Sequence, residues 1–178
     1  MATVDEEAAD FRVALVLGGA RSGKSALAER LACNSGLSRV YVATAEAWDG
    51  EMRERIARHR ADRGEGWRTV EAPLEAADAL ADHDGHDIVI VLDCLTLWLS
   101  NLMLAGRDVE QAGATLCARL PAMAARVILV SNEVGLGVVP DTPLGRRFRD
   151  AQGRLNQQVA AVADRVILVA AGLPLRLK

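Results

Sequence analysis

Gly18-Gly19-Ala20-Arg21-Ser22-Gly23-Lys24-Ser25 is the stretch whose residue types and spacing carry the most chemistry. It matches G-x-x-x-x-G-K-[ST], a loop that cradles phosphates. Gly18 and Gly23 permit backbone conformations that a Cβ would obstruct, so successive N–H groups turn inward toward phosphate oxygens. Lys24 is spaced to reach the β- and γ-phosphates, and the Ser25 hydroxyl to ligate Mg²⁺. The loop follows the apolar run Val13 to Leu17 and precedes the helical pattern Ala26 to Ala32. A strand before and a helix after are the context this motif requires, and the helix adds the positive end of its dipole.

A second signal is Ile88-Val89-Ile90-Val91-Leu92-Asp93. A continuous β-branched run suits a central parallel strand buried on both faces. A carboxylate at its end is where a P-loop protein holds Mg²⁺. A third is polar and helical: Glu51, Arg55 and His59 follow at i, i+4 and i+8, with Arg58 and Arg60 beside them. From spacing alone His59 reads as an exposed helix residue rather than a nucleophile, although adjacent guanidiniums disfavour imidazole protonation. Asp82-His83-Asp84-Gly85-His86-Asp87 has metal-ligand residue types but crowds into one loop, and reads as a solvated turn.

The elements that position these residues alternate. Strands are predicted over Arg39–Thr44, Trp67–Val70, Ile88–Asp93, Val127–Ser131 and Arg165–Val169. Helices are predicted over about Gly50–Arg63, Leu74–Ala81, Leu95–Leu104 and Asp108–Ala124. In the helix opened by Asp141 or Thr142 and Pro143, Leu144, Phe148, Ala151, Leu155, Val159 and Val162 form the apolar stripe. Arg146, Arg147, Arg149 and Arg154 crowd its other positions, as a phosphate clamp, a subunit boundary or a solvated face. Leu74, Ala77 and Leu80 are expected inward. The glycine-rich loop Asn132 to Pro140 lies where strand ends line a ligand crevice, and Asn132 and Glu133 either meet a ligand or simply end the strand. Gly172-Leu173-Pro174 turns the chain into an antiparallel edge strand. The pattern predicts an α/β fold, a mainly parallel sheet flanked by helices.

At 178 residues the chain fits one domain, residues 12–178, after an acidic tail at 1–11 expected to be disordered. A net charge of −3 and an aromatic content of 3% argue against a dedicated nucleic-acid binder. Cys33, Cys94 and Cys117 are widely spaced and read as reduced thiols of a cytoplasmic protein. No signal peptide or membrane span is expected. Most P-loop proteins are kinases, ATPases, GTPases or motors, and a small-molecule kinase is the reading these residues favour. A kinase without nucleotidyl transfer and a non-catalytic nucleotide switch stay open at this level.

Further motifs recur in a fixed order: Tyr41-Val42-Ala43-Thr44-Ala45-Glu46, Glu51-Met52 with Arg55-Ile56 and His59, Trp67-Arg68-Thr69, Asp93-Cys94-Leu95-Thr96, Asn132-Glu133-Val134-Gly135, and Phe148-Arg149-Asp150 with Gly153-Arg154 and Asn156-Gln157. With the glycine loop, they resemble the bifunctional adenosylcobinamide kinase/adenosylcobinamide-phosphate guanylyltransferase family from about Arg12 onward. The resemblance implies a P-loop NTPase of RecA-like type that uses ATP or GTP with Mg²⁺. It implies phosphorylation of adenosylcobinamide, then GMP transfer from GTP through a guanylylated His59, in a propeller-like homotrimer. Catalytic candidates are His59 and Lys24. Nucleotide-binding candidates are Gly18, Gly19, Ala20, Arg21, Ser22, Gly23, Lys24, Ser25, Thr44, Glu46, Arg55, Glu71 and Asp93, with Ser25 and Asp93 for the metal. The chain departs from the family pattern in carrying Asp93 where some members have Glu, Leu17 where Thr is frequent, and Arg58 in place of the first histidine of a pair.

Overall fold

The computed structural model describes residues 11–46, 50, 54, 61 and 63–178. In chain order the elements are β1 (Val13–Gly18), α1 (Lys24–Asn34), β2 (Ser38–Ala43), β3 (Trp67–Glu71), α2 (Ala76–Ala81) and β4 (Ile88–Asp93). There follow α3 (Leu95–Leu104), α4 (Val109–Arg119), a 3₁₀ turn (Leu120–Ala122), β5 (Arg126–Asn132), α5 (Pro143–Val162), β6 (Arg165–Ala170) and β7 (Leu173–Arg176). The strands form one sheet in the order β3-β2-β4-β5-β1-β6-β7. All pairings are parallel except β6 with β7. Strand β5 therefore separates the glycine-loop strand β1 from the carboxylate strand β4.

Alternation along the central strands explains the layering. Val13, Leu15, Leu17, Ile90, Leu92, Val127 and Leu129 turn to one face, where Leu80 of α2, Trp98 of α3, Leu116 of α4 and Leu155 of α5 cover them. Ala14, Val16, Val89, Val91, Ile128 and Val130 turn to the other, against Leu27, Ala28, Leu31 and Ala32 of α1. Strands buried on both faces have no polar side to alternate with, which is why they read as unbroken apolar runs. Phe11, assigned to the tail by sequence, is buried, with Arg165 over its ring at 5.5 Å.

Four details differ from the sequence reading. Helix α2 starts at Ala76 rather than Leu74 and buries Ala76, Ala79 and Leu80, with Leu74 and Ala77 only partly covered. Helix α4 stops at Arg119 and tightens into the 3₁₀ turn containing Pro121, whose missing N–H cannot continue the α-helical ladder. Leu144, placed on the stripe of α5, is 49% exposed in the first turn, whereas Gln152 and Asn156 are buried. The last turn is the pair Ala171-Gly172, both at positive φ, so that Leu173 and Pro174 already belong to β7. The segment 82–87 is the solvated turn read from the sequence, with Asp82, Asp84, His86 and Asp87 exposed; Asp84 Oδ1 still accepts from the N–H groups of Ala124 and Ala125 at 2.9 and 2.7 Å, and His83 Nδ1 lies 2.9 Å from the carbonyl of Ala79. Among the described residues no helix is long and apolar enough to cross a membrane.

Candidate active site

The loop from Gly18 to Ser25 leaves the C-terminal end of β1 and enters α1 directly. Two of its three glycines serve different needs. A Cβ on Gly18 would lie 2.3 Å from Ser22 Oγ and 2.6 Å from the carbonyl oxygen of Val169, so close packing of the loop against β6 excludes any side chain there. Gly23 instead has φ 95°, a left-handed conformation costly for other residues, and Arg21 shares that region at φ 56°. Gly23 is the N-cap of α1 and supplies no side-chain acceptor. The first N–H groups of α1 are thus left for an anion.

Lys24 is 9% exposed, and its Nζ donates to the carbonyl of Gly19 at 3.1 Å, so the ammonium lies folded across its own loop. Ser25 is half-buried, while Gly19, Ala20 and Arg21 are exposed. The loop is also held from outside: the N–H of Gly172, in the β6–β7 turn, donates to the carbonyl of Ser22 at 2.9 Å, and the N–H of Glu133 to the carbonyl of Gly18 at 3.2 Å.

Strand ends bring the other candidates to the same edge of the sheet. Asp93 ends β4, opposite Ala43 of β2, which pairs in turn with Glu71 at the end of β3. Asp93 is half-buried, and its Oδ2 accepts a hydrogen bond from Tyr41 at 2.8 Å. Glu46 is half-buried just beyond β2 and Glu71 is exposed. Thr44 is fully buried; its hydroxyl donates to the carbonyl of Cys94 and accepts from the Cys94 N–H, each at 2.8 Å. Its side chain thus holds the strand junction after Asp93. Arg55 and His59, with the rest of the polar helix face, lie outside the described residues.

Two groups of residues went unassigned by sequence reasoning. Asn101 of α3 donates to the carbonyls of Thr44 and Pro73 at 2.8 and 3.1 Å, and Trp98 to that of Leu74 at 2.7 Å, so one helix fixes the chain where it leaves β2 and β3. Behind the end of β5, Ser131 donates to Asn156 at 2.7 Å, Gln152 Nε2 reaches both at 2.9 Å, and Asn156 donates to the carbonyl of Asn132 at 3.1 Å. The available signal was Gln152 and Asn156 at i, i+4, interleaved with the apolar stripe. The arginines of α5 divide: Arg146 holds the loop before its helix through the carbonyls of Pro140 and Asp141, and Arg154 makes an exposed ion pair with Glu110 at 3.5 Å.

The site is therefore a glycine loop opening a helix at the strand ends of an α/β sheet, with two hard oxygen donors, the Ser25 hydroxyl and the Asp93 carboxylate, of the kind that suits Mg²⁺. Fold and loop together define a P-loop protein fold of RecA-like type. The flagellar accessory protein FlaH of Methanocaldococcus jannaschii is similar in fold, with a TM-score of 0.52 and 16% identity over 94% of this chain and 78% of that one. So is an ATPase from the type III secretion system of pathogenic bacteria, with a TM-score of 0.55 and 12% identity over 99% of this chain and 61% of that one. At such identities the likeness is one of fold alone. Sequence relatives are nearer. The bifunctional adenosylcobalamin biosynthesis protein CobP of Pseudomonas aeruginosa is 51% identical over 168 residues, 92% of this chain and 96% of the relative. The corresponding CobU protein of Escherichia coli is 40% identical over 182 residues, 92% of this chain and 98% of the relative. The model of the cobinamide kinase / cobinamide phosphate guanyltransferase family matches residues 14–177. The chain belongs to that family.

Proposed function

We propose that this protein phosphorylates adenosylcobinamide with ATP or GTP and then transfers GMP from GTP to the product, giving adenosylcobinamide-GDP and pyrophosphate. The observation that carries the reading is the shaped phosphate loop at Gly18–Ser25 in a chain 51% identical to a bifunctional enzyme of adenosylcobalamin biosynthesis. In the first reaction the substrate hydroxyl attacks the γ-phosphorus and loses its proton, and the nucleoside diphosphate leaves. Lys24 and the N–H groups at the start of α1 orient the triphosphate and offset its charge, work that suits a loose transition state. Ser25 and Asp93 would hold Mg²⁺, which when bound offsets charge on the β- and γ-phosphates.

In the second reaction an imidazole nitrogen of His59 attacks the α-phosphorus of GTP, and pyrophosphate departs with the electrons of the broken anhydride bond. The phosphate of the first product then attacks the same phosphorus and releases the histidine. A covalent carrier splits one displacement into two. Arg55, Glu46 and Glu71 are assigned to nucleotide binding, as are Gly19, Ala20, Arg21 and Ser22 of the loop. Thr44 is assigned to nucleotide binding with them, beside the Asp93–Cys94 junction that its hydroxyl holds. We assign residues 12–178 to a single catalytic domain preceded by an acidic tail, acting in the cytoplasm as a homotrimer.

The test is incubation with Mg²⁺ and GTP labelled at the α- or the γ-phosphate, for the wild type and His59→Ala. Protein-bound α-label that is acid-labile, base-stable and missing from the variant is the expected result. Phosphorylation of adenosylcobinamide with no α-label retained at any time would leave a kinase only.

A further inference from the structure

Tyr41 is the chain's single tyrosine, and it sits in the middle of β2 on the face covered by α1, where its β4 neighbours Val89 and Val91 are aliphatic. It is 6% exposed. Its hydroxyl ends on a carboxylate: Tyr41 Oη donates to Asp93 Oδ2 at 2.8 Å. The ring is pinned on two sides. The Arg63 guanidinium lies over it, its Cζ 3.4 Å from the centroid, and Trp67 meets it edge-on at 6.0 Å and 84°. Among the described residues Arg63 Nε and Nη1 are buried with no hydrogen-bond partner, and the aromatic face is their contact. Trp67 is in turn covered by Arg39, whose Cζ lies 5.4 Å from its ring. A phenylalanine would fill the same space and keep the stack. The hydroxyl adds only the bond to Asp93.

We propose that Tyr41 is a positioning residue for phosphoryl transfer: its hydroxyl immobilises one carboxylate oxygen of Asp93 and leaves the other in a fixed direction for a divalent cation. This rests on the assignment of Asp93 to the metal. A carboxylate at a strand end otherwise turns about its last torsion, a broad and roughly two-fold one, and presents either oxygen. Among the described residues no protein group donates to Oδ1. A tyrosine hydroxyl is both donor and acceptor whereas an ionised carboxylate only accepts, so the hydrogen between Tyr41 and Asp93 belongs to the phenol. Outer-shell hydrogen bonds to metal-ligating carboxylates are commonly worth about 10–100-fold in metal affinity.

The experiment compares wild type, Tyr41→Phe and Asp93→Asn, each saturated with GDP and titrated with Mn²⁺, with free Mn²⁺ read by electron paramagnetic resonance. Tyr41→Phe is expected to weaken Mn²⁺ binding about 10-fold while its thermal midpoint and metal-free GDP affinity stay near wild type. Asp93→Asn is expected to weaken Mn²⁺ binding at least as much. Because Tyr41 is the only tyrosine, growth on 3-fluorotyrosine labels that ring alone, and its ¹⁹F resonance should move when Mg²⁺ joins the GDP complex of the wild type but not of Asp93→Asn. Wild-type Mn²⁺ affinity in Tyr41→Phe alone, or a ¹⁹F signal indifferent to Mg²⁺, would make Tyr41 a core residue and nothing more. Wild-type affinity in Asp93→Asn would remove the metal assignment itself, and this proposal with it.

Discussion

Cys94 follows the carboxylate of β4 and shows how one position decides a side chain's chemistry. Its thiol is 6% exposed and accepts from the Leu97 N–H as the N-cap of α3. Burial, reinforced by the charge of Asp93, pushes its pKa up to about 11. The thiolate is the nucleophile, so at pH 8 this cysteine is inert. Cys33, in contrast, is exposed on α1. Alkylation of the native protein at pH 8, followed by peptide mapping, should modify Cys33 quickly and leave Cys94 unmodified until denaturant is added. At the same scale, Gly18→Ala forces a methyl into the space of Ser22 Oγ and the Val169 carbonyl. Overpacking of this kind costs about 1–3 kcal/mol. We expect a lower thermal midpoint and at least a tenfold loss of GTP affinity by calorimetry, because what must move is the loop itself.

At the scale of elements, short polar contacts decide where each strand end sits. Asp164, in the turn before β6, accepts from the N–H groups of Arg12 and Val13, both at 2.9 Å, and joins the start of β1 to the start of β6. These bonds favour the ionised form and hold its pKa below the ordinary carboxylate value, against a smaller opposing effect of burial. A carboxylate depressed in the folded state contributes stability that is complete above its unfolded pKa, about 3.9, and fades as pH falls through the folded value. Asp164→Ala should therefore lower the thermal midpoint at pH 7 by about 2–6 °C. The difference between variant and wild type should shrink below pH 4, a profile that thermal denaturation across pH would show. Legibility of the sequence also varied at this scale. The apolar runs of β1, β4 and β5 gave themselves away because burial on both faces leaves no room for polar residues. The glycine loop was legible because its motif is contiguous. Asn101, Tyr41 and the Ser131–Gln152–Asn156 group were not, because each acts on a backbone or carboxylate many residues away and nothing local marks the pairing. The start of α2 was misjudged since Pro73 favours an opening turn without fixing where the helix begins.

For the whole molecule, the sheet order places the loop strand β1 between β5 and β6, and the last hairpin supports the loop from the far side. Gly172, at φ 79°, donates its N–H to Ser22. Gly172→Val must strain that turn, since a left-handed conformation costs roughly 1–2 kcal/mol for a residue with a Cβ. We expect it to weaken GTP binding about 3–10-fold, by an amount that follows from that strain. Circular dichroism should stay unchanged, although the substitution touches no nucleotide. A variant with wild-type affinity would show that the hairpin is ornamental to the loop.

That arrangement also orders events during protein synthesis. Residues 18–25 leave the ribosome early, but the strands on either side of β1 and the turn that grips Ser22 are made only when residues 126–172 follow. A growing or prematurely ended chain carries the phosphate-loop sequence without a phosphate-binding loop. The built loop therefore waits until almost the whole sheet can close.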